Sequence, residues 1–101
     1  MTKAQEKAVQ MIRNLVDKWC EDRYEIKEWE VKDCDTFLSV VVCTGLPNDE
    51  NTMAFLTRDR AHLFVGPRGG ITYPVMKDGK TTYKRFKGYS ILQAVVDQKV
   101  S

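Results

Sequence analysis

Every apolar run between Tyr24 and Phe86 is short, and only a few turn-forming residues separate each run from the next. Runs of that length, bounded by Asp, Gly, Pro and Asn, read as β-strands. A parallel crossover needs a connection of about a dozen residues or more, and none of these connections is long enough to provide one. The sheet is therefore antiparallel, and it needs an apolar layer on one face. The two ends of the chain supply that layer.

At the N-terminal end, Thr2 and Gln5 have the spacing of a capping box, in which each side chain satisfies a free backbone donor of the first turn. Ala8, Val9, Ile12, Leu15, Val16 and Trp19 follow at helical spacing, with Lys3, Glu6, Arg13, Asp17 and Lys18 on the other side. This pattern predicts a helix from Lys3 to about Asp22. In the next run, Tyr24 to Lys32, the apolar positions switch parity between Ile26 and Trp29, which calls for a β-bulge or for a two-faced strand near a sheet edge. Asp33-Cys34-Asp35 predicts a turn of Asx type. Phe37 to Cys43 is β-branched and almost wholly apolar, as a central strand should be.

After the loop from Gly45 to Asn51, Met53–Thr57 and His62–Val65 read as a hairpin joined by Arg58-Asp59-Arg60-Ala61. The second run empties into Gly66-Pro67-Arg68-Gly69-Gly70. Ile71, Tyr73 and Val75 alternate with Thr72 and Pro74, and the proline puts this strand at an edge or ends its pairing early. Asp78-Gly79 is a strong hairpin signal, returning the chain through Thr81 to Phe86. Gly88 breaks that strand, and Ser90 with Gln93 caps a short closing helix carrying Ile91, Leu92, Val95 and Val96. The expected fold is α+β, in the order α-β-β-β-β-β-α: an antiparallel sheet of five to six strands with both helices on one face.

A chain of 101 residues supports one core and one domain, 1–101. With 43% hydrophobic and 30% charged residues it falls outside the disordered and low-complexity classes. The start of the chain carries no targeting signal, and no apolar run approaches the length of a membrane span, so the expectation is a cytoplasmic protein without a membrane partner. Cys20, Cys34 and Cys43 are odd in number, lack a C-x-x-C spacing, and share the chain with a single histidine. Three reduced thiols are expected, with neither disulfide scaffold nor structural zinc. The net charge of +2 hides an asymmetry. Residues 1–55 hold seven basic and eleven acidic side chains, whereas residues 56–88 hold eight basic and two acidic ones. If the basic side chains share a face, they attract polyanions despite the near-neutral total.

Few residues carry a catalytic signature. His62 stands in a predicted strand, where a partly exposed or locally hydrogen-bonded histidine is the ordinary outcome; as a base it would need Ser, Thr or Cys brought to it by folding. Asp49-Glu50 sits in a polar loop where solvated carboxylates are expected. The glycine loop matches neither a P-loop nor G-x-G-x-x-G, so no nucleotide cofactor is expected, and it either joins two strands or presents Arg68 to an anion. Tyr83-Lys84-Arg85-Phe86-Lys87 alternates rings with charge, the composition that holds single-stranded nucleic acid, and equally that of a solvated strand with core residues beside it.

In its size, charge asymmetry and lack of a catalytic motif, the chain resembles the small α+β proteins of bacteriophages and mobile elements, among them anti-CRISPR and other anti-defence inhibitors. The resemblance implies a non-enzymatic inhibitor in the bacterial host cytoplasm, monomeric or homodimeric, without cofactors or metal. Its partner would be a host protein or ribonucleoprotein. The resemblance assigns no residues; the charge distribution offers Arg58, Arg60, Arg68, Lys84, Arg85 and Tyr83 to occupy an anionic groove, or Glu28, Glu30, Asp49 and Glu50 to present phosphate-like charge to a basic channel. Direct binding of nucleic acid or a nucleotide by the basic sheet, and a small enzyme built around His62, are the alternatives.

Overall fold

The computed structural model describes residues 1–21, 24–45 and 60–88, together with Ala94, Asp97 and Gln98. Helix α1 spans Lys3–Cys20 and is followed by strands β1 (Glu25–Asp33), β2 (Leu38–Gly45), β3 (Arg60–Val65), β4 (Ile71–Lys77) and β5 (Lys80–Arg85). All strand pairs are antiparallel and the sheet order follows the sequence, β1-β2-β3-β4-β5. The fold is α+β. The expected strand at Met53–Thr57 lies outside the described residues. Of the expected closing helix, only Ala94, Asp97 and Gln98 are described.

Thr2 caps α1 as its spacing requires. Its hydroxyl accepts from Gln5 N at 3.1 Å, and the Gln5 side chain accepts from Thr2 N at 2.9 Å. The helix buries Ala8, Ile12, Val16 and Cys20 against one face of the sheet. On that face stand Leu38, Val40 and Val42 of β2, Ala61, Leu63 and Val65 of β3, and Ile71 and Tyr73 of β4. Ala94 belongs to the same core. At the margin Arg13 lies over the Trp29 ring, 5.2 Å from its centroid, and pairs with Asp17. Thr44 is fully buried beside Ile26, and its hydroxyl has no hydrogen-bond partner among the described residues.

The local signals translate into geometry one by one. The parity switch in β1 is a bulge at Lys27, between the pairs Ile26↔Thr44 and Glu28↔Cys43. It turns Trp29 and Val31 back toward the core and places Glu28 and Glu30 on the opposite face. Asp35 N donates to the Asp33 carboxylate at 3.0 Å, closing the Asx turn. Asp78 and Gly79, at φ 52° and 75°, make the tight turn between β4 and β5.

Pro74 ends a ladder early and does so without standing at an edge. β3 and β4 pair only at Phe64↔Thr72 and Val65↔Ile71. Ile71 O accepts from Phe86 N, so the odd-numbered residues of β4 turn their backbone groups toward β5 and the even-numbered ones toward β3. Proline therefore withholds its missing N–H from the β3 side. The strands part there, and Gln98 fills the gap with its side-chain amide. Gln98 Oε1 accepts from His62 N and Gln98 Nε2 donates to His62 O, both at 3.1 Å. The amide reproduces what a neighbouring strand would offer. Beside it, Asp97 accepts from the buried Tyr73 hydroxyl at 2.6 Å and from Lys84 Nζ at 2.9 Å.

Candidate binding face of the sheet

Strand alternation sends every second side chain to the face opposite α1, and the registers determine which side chains meet there. Ser39 stands opposite Phe64, Val41 opposite His62, and Cys43 opposite Arg60. Thr72 follows Phe64 across the next ladder, then Arg85 and, beside it, Tyr83. Phe37 reaches the same surface from the turn before β2.

These residues form a row of rings. Phe64 is its centre, with Phe37 edge-on at 5.6 Å and 77° and Tyr83 edge-on at 6.0 Å and 64°. His62 tilts against Phe64 at 4.4 Å. Phe64 is half-buried by its neighbours, while the outer rings stay open to solvent: Tyr83 is 65% exposed and Phe37 37%. The outer rings thus offer exposed aromatic surface to a flat ligand. Lys32, Arg60 and Arg85 lie on the same face, and none of them has a salt-bridge partner among the described residues. Glu28 and Glu30 carry negative charge at the β1 margin, away from Tyr83 and Arg85.

Two further groups sit within the row. Ser39 Oγ and His62 Nε2 are 2.6 Å apart, a short cross-strand hydrogen bond. Burial and the neighbouring Arg60 charge lower the His62 pKa from its ordinary 6.5, so the ring is neutral at pH 7. Cys43 is fully buried; burial and then the nearby Glu28 push its thiol up to about 12, which removes thiolate reactivity. All three cysteines are free. No group of three or more metal-ligating side chains converges among the described residues.

A serine hydroxyl against a neutral imidazole is also how a nucleophile and its base are arranged. Here Ser39 lies inside β2, whose backbone donors are engaged by ladders to β1 and β3 on either side. No free pair of N–H groups stands beside it to hold an oxyanion, and no carboxylate orients the His62 ring among the described residues. The hydrogen-bonding sites that the pair leaves unused can also serve a ligand.

The structure gathers only some of the residues that composition singled out. Arg60, Tyr83 and Arg85 share the open face, with His62 between them. Lys84 points to the α1 side and is held by Asp97. Arg68 lies beyond the sheet in the loop between β3 and β4, which is fastened to the start of α1. The Thr2 hydroxyl donates to Pro67 O at 3.1 Å, and Gly69, at φ 86°, lies so close that an added Cβ would stand 3.0 Å from Ala4 O. Arg68 lines a groove there of about 560 Å³ with Lys7, Ala8 and Met11. Arg58, Asp49 and Glu50 lie outside the described residues. Sequence reasoning missed Phe37, Phe64 and Ser39 because both parities of β2 and β3 are largely apolar, which hides which side faces the helix.

No helix among the described residues is long and apolar enough to cross a membrane. Comparison with protein-family models, with curated proteins and with solved structures finds no match for this chain.

Proposed function

We propose that this protein is a non-enzymatic binding module whose open sheet face takes single-stranded nucleic acid. The observation that carries this reading is the ring row Phe37–Phe64–Tyr83, two of its rings solvent-exposed, flanked by the cations Arg60, Arg85 and Lys32, which have no salt-bridge partner among the described residues. Bases stack on the exposed ring faces and the cations meet the backbone phosphates, a combination that accepts any sequence because every base has a π-face. Duplexes are disfavoured, since their bases are already stacked on one another.

The test is fluorescence anisotropy with labelled single- and double-stranded oligonucleotides at about 50 and 200 mM salt. Three neutralised phosphates on a single strand give a log–log salt slope of about −2, which weakens binding roughly 20-fold over that range. Absence of single-strand binding at low salt, or equal affinity for duplex, would overturn the reading.

Glu28 and Glu30, at the β1 margin of the same face, support a second reading. Aromatic and arginine side chains mixed with both charge signs also make the centre of a protein interface. In that case the face would seal against a host protein or defence ribonucleoprotein, as an anti-defence inhibitor does. Such an inhibitor leaves free oligonucleotides unbound and retains its target in a pull-down that Tyr83→Ala weakens.

A further inference from the structure

We infer that Ser39 and His62 are the base-selecting element of the open face, hydrogen-bonding the edge of a nucleobase stacked beside Phe64; this rests on the nucleic-acid reading above. Stacking rings and phosphate contacts bind without choosing among bases, whereas discrimination comes from hydrogen bonds to base edges. Ser39 and Thr72 flank the centre of the ring row from either side of Phe64, and of these polar side chains Ser39 is the one joined to His62 by a hydrogen bond. Ser39 follows Phe37 by two residues on the same face and stands opposite Phe64, and the His62 ring lies 4.4 Å from the Phe64 ring.

The hydrogen-bond arithmetic suits a reader. A hydroxyl has one donor and two acceptor sites, and a neutral imidazole has one of each. Their mutual bond at 2.6 Å uses one donor and one acceptor, leaving one donor and two acceptor sites for a ligand. Tautomer exchange moves the remaining donor between the two side chains without changing the total. A base edge likewise presents donors beside acceptors. The pair is held in place: ladders fix β2 on both sides, and the Gln98 amide grips the His62 backbone through both its N–H and its C=O. Pre-positioned polar groups of this kind reject a mismatched edge, because a buried donor or acceptor is left unpaired.

The experiment measures dissociation constants for oligo(U), oligo(C) and oligo(A) of equal length with the wild-type protein, Ser39→Ala and His62→Gln. Circular dichroism and thermal melts run alongside. The wild type is expected to separate the strongest from the weakest oligonucleotide by about tenfold or more, the usual discrimination of a good base contact. Each variant should compress that spread to within about threefold while leaving the salt slope unchanged, because neither removes a cationic contact. Ser39→Ala deletes a single hydroxyl from a half-buried site, so it reports even if His62→Gln unfolds. An unselective wild type, or a ranking that persists in Ser39→Ala, would overturn the assignment while leaving the face a general single-strand binder. Failure of all three oligonucleotides to bind would overturn the functional reading and this inference together.

Discussion

Replacing Tyr83 with alanine separates binding from folding more cleanly than any other change on the open face. The ring is 65% exposed, belongs to an edge strand whose residues all face solvent, and touches Phe64 only edge-on at 6.0 Å. Losing it removes little buried surface, so the expected cost in stability is below about 1 kcal/mol, mostly lost β-propensity and one aromatic contact. The cost in binding is larger. A base stacked on an aromatic side chain contributes about 1–3 kcal/mol, which corresponds to a rise in Kd of about 5- to 150-fold. The ring carries no charge, so the salt slope should stay where it is. Arg85→Gln, in the same strand, should reduce that slope by about 0.7 for a single strand. Tyr83→Phe keeps the π-face and should bind within about twofold of wild type. The assay is anisotropy titration at several salt concentrations, paired with urea unfolding of each variant. If Tyr83→Ala folds normally and binds as tightly as wild type, the stacking argument is wrong.

Three further outcomes follow from the structure. Gln98→Ala strips His62 N and O of their partners at a half-buried site and should destabilise the fold by about 1–3 kcal/mol in urea melts, whereas Gln98→Glu, which keeps an acceptor for His62 N but loses the donor to His62 O, should fall between. Thr44→Val replaces a fully buried hydroxyl, without a partner among the described residues, with a methyl of similar shape and should raise stability by about 1 kcal/mol; a loss would mean that the hydroxyl has a partner. The pKa of His62 is lowered in the folded state, so its contribution to stability is complete above its ordinary 6.5 and is lost as pH falls below that value toward the folded pKa. Affinity for a polyanion moves the other way, since protonation adds a positive charge beside Arg60; a Kd that tightens from about pH 7.5 to 5.5 in wild type should be flat in His62→Gln.

Where a signal depends on neighbours in sequence, the chain announces its structure. The Thr2–Gln5 box, the parity switch answered by the bulge at Lys27, the Asx turn at Asp33 and the Asp78-Gly79 turn are each set within a few residues, and each appears as expected. Pro74 allowed two outcomes, and pairing that ends early is the one adopted. The candidate site was harder to read because it is assembled by register. Ser39 and His62 lie 23 residues apart and meet only once β2 and β3 align. Charge alternation in Tyr83-Lys84-Arg85 could not say that Lys84 takes the α1 side and pairs with Asp97 while its two neighbours take the other face, although adjacent strand residues must point to opposite sides. The same parity separates Tyr83 from Phe86, which is buried against Tyr73.

The parting of β3 and β4 gives the ring row two unequal intervals. Phe37 and Phe64 stand on the side of the sheet where β1, β2 and β3 are laddered along most of their length, so their spacing is rigid. Tyr83 stands across the seam on the β4–β5 hairpin, whose ladder to β3 is two residue pairs long and whose other ties include the contacts of Asp97 and the core packing of Ile71 and Tyr73. A short ladder holds less firmly than a long one, so the Phe64–Tyr83 interval is expected to be the more compliant of the two. On the binding role proposed above, the surface would act as a gauge with one fixed jaw and one sprung jaw: the first interval would set the position of a ligand, and the second would yield to its thickness.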